Sequence, residues 1–68
     1  MWYMLTLTDA NGAVGIDDYG MVIESRASSL EWMVGKKFDD CLNAFQREGK
    51  LHNIQKVEPE DLPNESPS

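Results

Sequence analysis

The chain has 68 residues, 12 acids against 6 bases, and a formal net charge of -6. That length holds one domain at most, and a core this small is marginal without a disulfide, a metal or a partner. A single cysteine, Cys41, excludes an internal disulfide, and Cys41 with His52 is too poor a set of soft ligands for a zinc cage. Packing alone, or packing with self-association, must therefore hold the fold.

In chain order, Trp2 to Thr8 predicts a strand, rich in aromatic, Leu and Thr residues and free of Gly and Pro. Tyr3, Leu5 and Leu7 would share one face, and Trp2, Met4, Thr6 and Thr8 the other. Asp9-Ala10-Asn11-Gly12 predicts a turn, because Asn-Gly is a strong hairpin signal. Ala13 to Ile16 reads as a short returning strand, and Asp17 to Gly20 as a second turn or loop. Met21 to Ser25 predicts the next strand, with Met21 and Ile23 on one face and Val22 and Glu24 on the other.

Ser28 and Glu31 have capping-box spacing and predict a helix start. Leu30, Met33, Val34, Phe38, Cys41, Leu42 and Phe45 follow in one stripe of helical period, and Gly49 supplies the stop. The stripe stays in phase across Gly35, which favours one continuous helix, although glycine inside a helix costs about 1 kcal/mol against alanine. Leu51 to Val57 predicts a last strand, closed by Pro59. The expected fold class is α+β: a small antiparallel sheet of three to four strands, ββαβ or βββαβ, with one helix across one face. Residues 1–57 form the domain. Residues 58–68 hold four acids, three prolines and one aliphatic residue, and read as a disordered acidic tail.

Chemistry-bearing motifs are sparse. Cys41 falls in mid-stripe, as a buried core thiol would. His52 has no catalytic partner beside it in the sequence. Asp9, Asn11, Asp17 and Asp18 are rich in oxygen, but the sixth and twelfth positions counted from Asp9 are Val14 and Gly20, which fails the calcium-loop pattern. Asp39 and Asp40 point about 100° apart on a helix and do not converge. Glycines 12, 15 and 20 lack the lysine and helix of a phosphate loop. The chain is therefore expected to be no enzyme and to use no metal or cofactor. The bases Lys36, Lys37, Arg47 and Lys50 are interleaved with acids, so direct nucleic-acid binding is not expected either. No run approaches the roughly 20 apolar residues of a membrane span. A lone cysteine and the lack of a leader-like apolar run fit a cytoplasmic setting, the host cytoplasm if the gene is carried by a phage.

What remains is contact. Residues 1–25 carry four acids and no base, 26–57 six bases and four acids, and 58–68 four acids and no base. The first block suggests a local acidic surface at Asp9, Asp17, Asp18 and Glu24. On a continuous helix Trp32 would point away from the apolar stripe, as a binding hot spot; a break at Gly35, or cover from the tail or first loop, would bury it instead. If Leu5 and Leu7 face the helix, Trp2, Met4 and Val22 make an apolar open face, a dimer seam or partner surface. In size, charge and layout the chain resembles small inhibitors encoded by phages and mobile elements. That resemblance implies an acidic inhibitor or adaptor, an anti-defence protein for instance, whose carboxylates stand in for phosphates on a basic groove of a nucleic-acid-acting protein. The competing expectation is a self-associating accessory protein that dimerises through the open sheet face.

Overall fold

A computed structural model describes residues 1–61. The order is β1 (Trp2–Leu7), β2 (Asn11–Ile16), β3 (Val22–Ser25), a 3-10 helix (Ser28–Met33), α1 (Phe38–Arg47), β4 (Leu51–Val57) and a 3-10 turn (Pro59–Asp61). The strands form one antiparallel sheet, spatially β3-β2-β1-β4, with the helix packed against it. The α+β class expected from the sequence is the observed one. Because β3 and β4 lie on opposite edges, the chain between them must cross one whole face. That crossing buries Leu5, Val14, Val22, Leu30 and Met33 completely. Of the stretch read as a tail, the part through Asp61 is described and exposed, and residues 62–68 lie outside the described residues.

The first hairpin turns one step earlier than expected. Leu7 N–H donates to the Ala10 carbonyl at 2.9 Å, and Asn11 already pairs with Thr6. Asn11-Gly12 is thus strand, not turn. Gly12 faces the core opposite Leu5, and a Cβ there would collide with the Ala27 methyl and stand 3.0 Å from Leu30 Cδ1. The glycine serves close packing of the 3-10 helix on the sheet, not a left-handed turn.

The faces of β3 are also reversed. Val22 pairs with Ile16 and is 1% exposed, while Ile23, at a register shift, is 56% exposed. The strand begins at Val22, Met21 making only an isolated bridge to Lys37, and the bulge sets the phase. Val22 therefore belongs to the core side of β3 rather than to the open face, where the sequence reading put it.

The single long helix is replaced by two. Ala27 occupies the cap position without a side-chain bond, so the Ser28–Glu31 box does not form; Ser25 Oγ instead accepts from Ala27 N–H and donates to Ala27 O. Val34 is extended and Gly35 has φ +90, where an L side chain is strained. The freed backbone runs alongside β3: Gly35 N–H donates to Val22 O at 2.8 Å, Val22 N–H to Lys36 O at 2.9 Å, and Phe38 N–H to Gly20 O at 2.9 Å. These bonds replace those a continuous helix would have made. Val34 drops out of the stripe and is 43% exposed, whereas Leu30, Met33, Phe38, Cys41 and Phe45 stay buried. Tyr3 stacks on Phe38 with centroids 5.1 Å apart.

The helix α1 carries Asp39 and Asp40 in its first turn and Arg47 in its last, which suits the helix dipole. It ends as the sequence predicts, at Gly49 with φ +69. Gly49 N–H donates to Gln46 O, and Lys50 N–H to Phe45 O. This pair of bonds is the Schellman stop.

The Gly12 contact yields a stability test. Gly12→Ala should lower the unfolding free energy by about 1–3 kcal/mol through overpacking, measured by urea denaturation. Unchanged stability would show that the 3-10 helix does not sit against the sheet at Gly12.

Candidate functional site

The residues proposed as one acidic contact surface do not lie together. Asp9 follows β1 and Asp17 follows β2, so the six residues of β2 separate them by roughly 20 Å. Asp17 is occupied locally: its Oδ1 accepts from Tyr19 N–H at 2.8 Å and Met21 N–H at 2.9 Å, an Asx turn that shapes the loop. Asp18 is exposed beside it. Glu24, also exposed, faces Arg26 at 4.0 Å. The structure thus separates Asp17, Asp18 and Glu24 from Asp9.

Trp32 and Asp9 do come together. The break at Gly35 ends the 3-10 helix with Leu30 and Met33 turned into the core and Trp32 turned along the surface toward α1. There its ring meets Phe45 edge to face, centroids 5.6 Å apart at 72°, and remains 48% exposed. Trp32 forms one wall of a concavity of about 280 Å³. Its floor is apolar, from Leu7 and Ala10 of the first hairpin, Leu30, and Ala44 and Phe45 of α1. Its rim carries Ser29, Asp9, Glu48 and Lys50. The Lys50 ammonium lies 3.8 Å from Asp9 Oδ2 and 3.9 Å from Glu48 Oε1. One cation thus faces two carboxylates, at distances longer than a charge-assisted hydrogen bond.

Of the groove's residues, the sequence singles out Trp32 and Asp9 as candidates; Phe45, Glu48 and Lys50 enter only with the structure. The signal was present in Gly49: a Schellman stop fixes Glu48 and Lys50 on either side of it, at the end of the helix that carries Phe45.

The second candidate surface changes in composition. Trp2 lies across Gly15, where a Cβ would stand 3.2 Å from the indole, and Arg26 places its guanidinium 5.3 Å from the ring centroid. Trp2 and Met4 are half-buried, and Val22 belongs to the core. Ile23, not Val22, is the exposed aliphatic residue of β3.

Among the described residues, the remaining titratable groups are scattered. Exposed His52 Nε2 is 2.8 Å from Thr8 Oγ1, with no acid in the pair. Cys41 is buried, and its thiol pKa is raised above the ordinary 9.0, chiefly by burial; Lys36 lowers it in part and Asp40 raises it. Among the described residues no three His, Cys, Asp or Glu side chains converge as metal ligands, and no helix is long and apolar enough to cross a membrane. No protein family, no curated protein and no solved structure matches the chain.

The thiol gives a direct check. Native Cys41 should react with a thiol reagent slower than the urea-unfolded chain by roughly a hundredfold or more, because labelling requires opening. The raised pKa also fixes a sign. Above pH 9.0 the unfolded thiol loses its proton while the folded one retains it, so stability should fall as pH rises through that range. Fast native labelling would contradict the buried position.

Proposed function

We propose that the protein is a small acidic protein-binding module, an inhibitor or adaptor that docks on a basic surface of a larger, nucleic-acid-acting protein. The observation that carries this reading is the Trp32 groove. A half-exposed tryptophan, an apolar floor and two rim carboxylates are the ingredients of a binding hot spot: a rigid aromatic anchor beside charges that select the partner. The chain's excess of acids supplies the long-range attraction to a basic surface. The acidic contact is therefore reassigned from a band over Asp9, Asp17, Asp18 and Glu24 to the groove at Asp9, with the Asp17–Asp18 turn as a second, distant contact.

Affinity capture, identification of the partner and calorimetry on the purified pair test the reading. The partner should be basic at its contact surface. Its affinity should fall steeply as salt rises from 0.1 M to 1 M, where the Debye length shrinks from about 10 Å to about 3 Å. Trp32→Ala should weaken binding by roughly thirtyfold, the effect of a 2 kcal/mol hot spot. Salt-independent binding, or full affinity in Trp32→Ala, would contradict it.

Self-association through the open sheet face is the second reading, favoured by the exposure of Ile23. Trp2 is already capped by Arg26, which leaves less apolar surface for a second copy. If the groove reading holds, sedimentation velocity should give the monomer mass of 7.7 kDa at all concentrations tested. A dimer abolished by Ile23→Lys would favour the second reading.

A further inference from the structure

We infer that the mouth of the Trp32 groove is a receptor for one arginine side chain of the basic partner. This inference rests on the proposed function and names the chemistry of the contact. Three observations lead to arginine.

The first is charge complementarity. Asp9 and Glu48 face one shared ammonium, that of Lys50, at 3.8 and 3.9 Å. The rim keeps a net negative charge, and its resident ion pairs are long and solvent-exposed, hence weak and exchangeable. An incoming guanidinium can bind a carboxylate through two parallel N–H donors at much shorter range, which a lysine ammonium cannot reproduce.

The second is the wall. Trp32 keeps about half its surface open beside the carboxylates, with its ring oriented by Phe45. Indole is the best aromatic partner for a cation, and arginine both stacks on it and carries a less tightly held hydration shell than lysine. The same chain already uses this pairing once, in Arg26 over Trp2.

The third is shape. The concavity of about 280 Å³ is lined by apolar side chains, among them Leu7, Leu30 and Phe45, together with the charged Asp9, Glu48 and Lys50. A long side chain lays its methylene stem on such an apolar lining and leaves its charged head at the mouth.

The test is an amide and indole NMR titration of the intact protein with three blocked tripeptides: Gly-Arg-Gly, Gly-Lys-Gly and Gly-citrulline-Gly, citrulline being the neutral shape analogue of arginine. The arginine peptide should shift the Trp32 indole N–H and the amides of Asp9, Phe45, Glu48 and Lys50 in a saturable way. The lysine peptide should bind several times more weakly, and the citrulline peptide at least tenfold more weakly. In the double variant Asp9→Asn, Glu48→Gln the response should disappear while the amides of Leu5 and Cys41 stay in place, which excludes unfolding. Lys50→Met, which removes the resident competitor, should tighten arginine binding severalfold. Equal responses to arginine and citrulline, or to arginine and lysine, would overturn the inference. So would shifts centred on Asp17, Asp18 and Glu24, or weaker binding by Lys50→Met. If the groove ignores arginine while an identified partner still binds with steep salt dependence, the receptor inference fails and the acidic-module reading stands. If no basic partner is found, that reading fails by itself.

Discussion

The 3-10 helix sits directly on Gly12, and the rest of the molecule depends on that contact. Only a residue without a Cβ lets Ala27 and Leu30 come so close to the sheet. With the 3-10 helix seated there, Leu30 and Met33 fill the space above Leu5, Val14 and Val22. The chain leaves the 3-10 helix at Gly35 and bonds alongside the start of β3 before α1 begins at Phe38. The helix α1 runs back across the face and stops at Gly49, next to the first hairpin. Three segments far apart in sequence thereby meet in one groove. Its lining comes from the first hairpin, the 3-10 helix and the end of α1.

Strand existence was legible because β1 and β4 are continuous runs free of glycine and proline, and the class followed from the order of elements. The details that failed share a physical cause: they were decided by tertiary packing. Asn11-Gly12 carries the local signature of a hairpin turn, yet the glycine is needed for close approach instead. The phase of β3 is ambiguous by sequence, since Met21, Val22 and Ile23 are all apolar; pairing of Val22 with Ile16 decides it. The stripe from Leu30 to Phe45 is compatible with one helix or two. Backbone bonds from Gly35 and Lys36 to Val22, together with the glycine's positive φ, settle it in favour of two.

The same break separates what could be read of the site from what could not. Trp32 stood out because a tryptophan among polar neighbours needs an explanation. Its partner Phe45 carries the period of a core residue and is buried, yet it also lines the groove. The acids looked alike in sequence and differ in space. Asp17 is consumed by its own turn, Glu24 lies by Arg26, and Asp9 shares Lys50 with Glu48. Under the proposed function, net charge would draw in a basic partner and the groove would give that partner a shaped place to sit.

The break at Gly35 leaves Trp32 against Phe45 in the groove. Nuclear Overhauser spectroscopy on the free protein tests it most directly. Cross-peaks are expected from the Trp32 indole protons to the Phe45 ring. Cross-peaks from Trp32 only to Lys36 and other residues one helical turn away, with none to Phe45, would restore the continuous helix and contradict it.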